Sequence, residues 1–127
     1  MTKEIIATDQ APEAIGTYSQ AAKSGQLVFI SGQIPLNPAT MEMVSGDFTE
    51  QAHQVFKNLT AVANAANSSL TSALKFTVYL TDLDNFQLLN EVMATYVSEP
   101  YPARAAVEVS ALPKGALIEI DAILTAH

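Results

Sequence analysis

Two rhythms of apolar residues alternate along the chain, and the breaks between them mark its elements. Ile5-Ile6-Ala7 predicts a short strand, ended by the turn-rich Thr8-Asp9-Gln10-Ala11-Pro12. Ser19 to Lys23 predicts a second strand, closed at Ser24-Gly25. Leu27-Val28-Phe29-Ile30-Ser31 is apolar on both faces and predicts a central strand. Gly32 follows, and Pro35 and Pro38 exclude a central strand or a helix interior there. From Phe48 to Asn67 the period becomes helical: Ala52, Val55, Phe56, Leu59, Val62, Ala63 and Ala66 share one face. Asp47 is placed to cap this helix, with Glu50 three residues on. Leu74, Phe76, Val78 and Leu80 then alternate with Lys75, Thr77, Tyr79 and Thr81, a strand with one apolar face. A second helix is expected from about Asp84 to Val97, with Phe86, Leu89, Met93, Tyr96 and Val97 as its stripe, ended by Pro100 and Pro102. Ala103–Ser110 and Leu117–Thr125 are the last strands, and Pro113-Lys114-Gly115 between them predicts a hairpin.

The order β-β-β-α-β-α-β-β gives about six strands and two helices, an α+β fold in a single domain over residues 1–127. Two helices cover one face of such a sheet. The other face carries Leu, Ile and Val and is expected to be buried against other subunits, with closed cyclic symmetry as the usual arrangement.

Composition narrows the function classes. A chain of 127 residues, 49% hydrophobic and 15% charged, supports a real core and is not disordered. Its charge of −7 repels phosphate backbones and anionic headgroups, so neither nucleic acid nor membrane is an expected partner. With no cysteine there is no disulfide, thiolate metal site or cysteine nucleophile. No signal-peptide core follows Met1-Thr2-Lys3-Glu4, and no run approaches the length of a membrane span, so a soluble cytoplasmic domain is expected.

The chain's single arginine, Arg104, lies in a strand beside Ala106, which leaves space next to the guanidinium. Parity puts Arg104, Ala106 and Glu108 on one face. A planar fork of donors matches a carboxylate, so Arg104 is either an anion anchor or the partner of a neighbouring glutamate at a subunit interface. Glu119 sits between Ile118 and Ile120. Partly desolvated, it has a raised pKa and can serve as a base; alternatively it neutralises Arg104 or faces solvent. Asp121 has a weaker claim, and Glu108 reads as a solvated or interface charge. Tyr18 either closes over a ligand or packs amphipathically. Ser31-Gly32 either presents N–H groups to a ligand or makes a turn, and Asn90 hydrogen-bonds either a loop or a substrate. His53 reads as solvated and His127 ends the chain. The two histidines lack the spacing of a metal site, and no phosphate-binding loop or Ser-His-acid set is present.

Pro102-Ala103-Arg104-Ala105-Ala106-Val107-Glu108-Val109-Ser110-Ala111-Leu112, followed by Ile118-Glu119-Ile120, closely resembles the signature of the Rid (YjgF) family of enamine/imine deaminases. Ile15-Gly16-Thr17-Tyr18-Ser19-Gln20, Ser31-Gly32-Gln33-Ile34-Pro35 and Thr77-Val78-Tyr79-Leu80 match as well, and the resemblance covers nearly the whole chain. It implies a chorismate-mutase-like homotrimer with sites in the clefts between subunits. The implied reaction is hydrolysis of 2-aminoacrylate and 2-aminocrotonate, or their imines, to 2-oxo acids and ammonia. By the same resemblance Arg104 binds the substrate carboxylate and Glu119 positions and activates water. Tyr18, Ser31, Gly32 and Asn90 line the pocket, and the backbone carbonyl of Ala106, where the family often has cysteine, helps hold the water. The iminium carbon is already electrophilic, so no metal, cofactor or covalent nucleophile is expected; the partner is a small monocarboxylate.

Overall fold

The computed structural model describes residues 2–126, so His127 lies outside the described residues. Six strands form one mixed sheet: β1 (Glu4–Ile6), β2 (Ala21–Ser24), β3 (Leu27–Gln33), β4 (Ala73–Leu80), β5 (Ala103–Glu108) and β6 (Ile118–Thr125). Helices α1 (Phe48–Ala65) and α2 (Phe86–Met93) pack on one face. The strand order is β1-β2-β3-β6-β4-β5, antiparallel throughout except for the parallel pair β4 and β5, which α2 connects. The α+β class and the two-helix layer are as the patterning predicts.

Period-2 burial builds the core. Val28 and Ile30 of β3, Phe76, Val78 and Leu80 of β4, and Ile118, Ile120, Ala122 and Leu124 of β6 are buried under the helices. Val55, Phe56, Leu59 and Val62 of α1 meet them with no exposed surface. Each such side chain contributes roughly 1.5–3 kcal/mol relative to exposure. Asp47 caps α1 as expected, its Oδ2 accepting the Glu50 N–H at 3.1 Å, while the Glu50 carboxylate turns to the Ser45 hydroxyl. His53, read as solvated, is half-buried instead. Its Nδ1 is 2.9 Å from the Tyr96 hydroxyl, because Tyr96 folds back over α1 and stacks on Phe56 at 5.0 Å.

The hairpin expected between the last two strands does not form: β4 lies between β5 and β6. At the end of β4, the Leu80 carbonyl accepts the Val109 N–H at 2.8 Å and the Thr81 N–H donates to the Leu117 carbonyl at 3.3 Å. The turn at Pro113–Gly115, with Lys114 at φ 58°, carries the chain from one side of β4 to the other. Side-chain content explains the order. β6 fills four consecutive core positions and suits the interior, whereas Ala-rich β5, with Arg104 and Glu108, suits an edge. α2 is shorter than its apolar pattern, ending at Met93, where the Thr95 hydroxyl takes the Val92 carbonyl at 2.7 Å.

On the face away from the helices, Ile5, Leu27, Phe29 and Val107 are 40–51% exposed in the single chain. Ile5, Ala22, Phe29 and Ile123 stand in one cross-strand row there. This is the apolar face that two helices cannot cover.

Candidate active site

Arg104 shares the parity of the core positions, opposite Phe76 on β4, but β5 is the edge strand and its side chain escapes across α2. The guanidinium lies 5.1 Å above the Phe86 ring, a cation–π arrangement. Nη1 donates to Asn90 Oδ1 at 2.6 Å and approaches Met93 Sδ at 3.7 Å. Among the described residues these are its hydrogen-bond partners, and neither is a carboxylate. The Nε and Nη2 donors, the edge that grips a carboxylate in a fork, are left over. Arg104 also borders a hollow of about 520 Å³, lined with it by Asn90, Met93, Ala94, Val97, Tyr101 and Pro102. The space therefore opens toward Tyr101 and Pro102. It does not open beside Ala106, which packs against the core instead.

A second group gathers on the opposite face. The alternation that buries Ile118, Ile120 and Ala122 turns Glu119 and Asp121 away from the helices. Between β3 and β6 the register skips: Ile30 pairs with Ala122 and Gln33 with Ile120. Ser31 and Gly32 thus oppose Asp121 alone, a bulge. The bulge brings Gly32 against Glu119 so closely that a Cβ at 32 would overlap the carboxylate and lie 2.9 Å from its Cδ. Desolvation by burial, and then the Asp121 charge, push the Glu119 carboxyl above the usual carboxylate range. The Tyr79 hydroxyl donates to Asp121 Oδ2 at 3.1 Å. Burial first, then that hydrogen bond, push the Tyr79 phenol up as well.

Ser31 closes this group toward the N-terminal segment. Its Oγ donates to the Ser19 carbonyl at 2.5 Å and its N–H to the Gln20 carbonyl at 2.9 Å. Buried Gln20 pins residues 8–12, accepting the Thr8 N–H at 2.6 Å and donating to the Pro12 carbonyl at 2.8 Å. Tyr18 is 53% exposed, and its hydroxyl accepts the Ile15 N–H at 3.4 Å. Its ring lies beside Gly16, whose φ of 128° favours glycine. Tyr18, Ser19, Ser31, Ile5 and Phe29 border a hollow of about 360 Å³.

The fold thus joins Arg104 to Asn90, Gly32 to Glu119, and Tyr18 to Ser31. It does not join Arg104 to Glu119, which point to opposite faces of one sheet. Glu119 therefore does not neutralise Arg104 within a chain. Glu108, the one carboxylate of β5, accepts the Leu83 N–H at 3.0 Å. Sequence reasoning missed Tyr101 as a wall, took Phe86 for a core residue when it is the platform under the guanidinium, and overlooked the Tyr79–Asp121 pair. The signal for that pair was present, since Tyr79 occupies the polar parity of β4. Among the described residues no group of three His, Asp or Glu side chains is placed to hold a metal ion, and no helix is long and apolar enough to cross a membrane.

Comparison with known proteins bears on this arrangement. A family model described as endoribonuclease L-PSP matches residues 8–126. The chain is 54% identical over 121 residues to RutC family protein PH0854 of Pyrococcus horikoshii, covering 95% of this chain and 96% of that one. It is 42% identical over 123 residues to the human protein named 2-iminobutanoate/2-iminopropanoate deaminase, covering 97% and 90%. The crystal structure of Escherichia coli TdcF with bound serine superposes with a TM-score of 0.91 at 40% identity, over 98% and 99% of the two chains.

Proposed function

This chain belongs to the Rid (YjgF, endoribonuclease L-PSP) family, and on that premise we propose that it is a hydrolytic deaminase of 2-aminoacrylate, 2-aminocrotonate and their imines. The observation that carries the reading is the Arg104 guanidinium, steadied by Asn90 over Phe86, paired with no carboxylate among the described residues and bordering a hollow. A relative with bound serine, a small amino acid with one carboxylate, supports the same ligand class.

In this reading the active unit is a cytoplasmic homotrimer without cofactor, its open sheet faces buried between protomers. Arg104 of one protomer and Tyr18, Ser31, Gly32 and Glu119 of the next face a shared cleft, an arrangement that the opposite-face placement of Arg104 and Glu119 supports. Arg104 forks the substrate carboxylate. Glu119 takes a proton from water as its oxygen bonds to the iminium carbon. The resulting carbinolamine receives that proton on nitrogen from Glu119, its hydroxyl proton passes to the Glu119 carboxylate as the C–N bond breaks, and ammonia and the 2-oxo acid leave. The Ala106 carbonyl helps to hold the water. Holding carboxylate and water about 3 Å from the reacting carbon supplies most of the acceleration, since the electrophile is already activated.

The test couples a serine or threonine dehydratase to the protein and follows pyruvate or 2-oxobutanoate release. The wild type is expected to exceed the spontaneous rate. Arg104→Ala is expected to abolish the excess without unfolding, a loss on the order of 2–5 kcal/mol. A wild type that binds 2-oxobutanoate but gives no acceleration would be a carboxylate-binding module and not an enzyme. RNA binding at physiological salt by a nuclease-free preparation would favour a regulatory role, against the repulsion expected from a charge of −7.

A further inference from the structure

Resting on that reading of Glu119, the geometry points to Tyr79 and Asp121 as positioning residues that hold the Glu119 carboxylate where substrate and water meet it. Three neighbours confine this side chain. On β3 it meets Gly32, where not even a Cβ fits. On β4 its direct register partner is Tyr79. Along β6, Asp121 stands on the same face two residues away. The Tyr79 hydroxyl bridges from the Glu119 row to the Asp121 row, donating to Asp121 Oδ2 at 3.1 Å.

The two carboxylates are therefore unequal. Asp121 has a donor, whereas Glu119 has no hydrogen-bond partner among the described residues. Of two neighbouring acids, the one without a hydrogen-bond donor has the less well satisfied negative charge, and the other's charge then favours its neutral form. That acid is Glu119, in accord with its upward shift from desolvation and the Asp121 charge. The remaining groups on this face do not reverse the inequality. β3 offers Ser31 and Gly32, β5 offers Ala105 and Val107, and the cation Lys75 of β4 stands beyond Asp121, opposite Ile123. A carboxyl kept able to hold a proton nearer neutrality suits both halves of the chemistry. It can protonate the enamine carbon to give the iminium ion, and the carboxylate so formed can then accept a proton from water.

The test reads Glu119 directly and without substrate. The full chain is prepared with glutamate labelled by ¹³C at the carboxyl, and the Glu119 resonance is assigned by its loss in Glu119→Gln. Its titration is followed in the wild type, Asp121→Asn, Tyr79→Phe and Asp121→Glu. Glu119 is expected to titrate at lower pH in Asp121→Asn. Tyr79→Phe should give a smaller shift in the same direction, because the hydroxyl no longer fixes the Asp121 charge beside Glu119. Asp121→Glu is expected to restore the wild-type midpoint. The acidic limb of kcat/KM should move with the resonance, and kcat should fall by less than the ~10²-fold expected for removing the Glu119 carboxylate itself. An unchanged Glu119 midpoint in Asp121→Asn overturns the proposal; if that variant does not fold, an unchanged midpoint in Tyr79→Phe does so. Midpoints that shift in a protein without deaminase activity would leave the pair standing and remove the proposed reaction instead.

Discussion

Gly32 shows what one missing side chain permits. The atom a Cβ would strike is the end of a flexible side chain, the Glu119 carboxylate, and the backbone at 32 is outside the left-handed region. Gly32→Ala is thus expected to cost under about 1 kcal/mol of stability while displacing the carboxylate and lowering kcat about a hundredfold. Parallel denaturation and dehydratase-coupled assays check this, and equal losses of fold and rate would contradict it. Glu119 also gives stability a pH slope of definite sign. Its folded-state pKa is raised, so between the unfolded value and the folded one the native state holds the extra proton. Stability from this group is then greatest below the ordinary glutamate range and declines as pH rises through that window. Relative to the wild type, Glu119→Gln is expected to gain stability from pH 4 to pH 7, measured by thermal unfolding at both values. Of these residues the sequence showed the acid between two isoleucines, because parity is local. It did not show the bulge that sets Gly32 against the acid, because that register belongs to a pairing between distant strands.

The elements hold these residues through their ends and their buried amides. Asp47→Ala removes the N-cap of α1 and is expected to cost about 1 kcal/mol, read from the denaturation midpoint at constant m-value. Gln51 does more. From inside α1 its Oε1 accepts the Leu117 N–H at 2.9 Å and its Nε2 donates to the Ser45 carbonyl at 2.9 Å, fixing where β6 begins. Gln51→Leu leaves both backbone groups unpaired, and a loss of about 2–3 kcal/mol is expected in the same measurement. Periodicity gave α1 its cap and face almost to the residue. It misjudged the partner of β5, because a short turn looks the same whether it joins neighbouring strands or steps across a third.

At the scale of the whole molecule the open face and the split site make one expectation. Arg104→Ala and Glu119→Gln proteins are each expected to be inactive alone. Unfolded together and refolded as mixed trimers, they should recover about a quarter of the wild-type rate, since each mixed ring contains one cleft with both side chains. No recovery would mean that both residues act from one protomer. Phe29→Lys, on the exposed row between Ala22 and Ile123, is expected to leave the core intact and reduce the mass from near three times 13.5 kDa to that of one chain. Light scattering after gel filtration reads the change directly.

Period and parity are written in the order of residues. The sequence alone therefore determined the strands, both helices, the buried face and the family signature around Arg104 and Glu119. Which strand lies beside which, which hollow the guanidinium faces, and which neighbour steadies each acid depend on contacts between segments far apart in the chain. Local preferences do not encode such contacts, so only the tertiary structure could place Arg104 and Glu119 on opposite sides of one sheet.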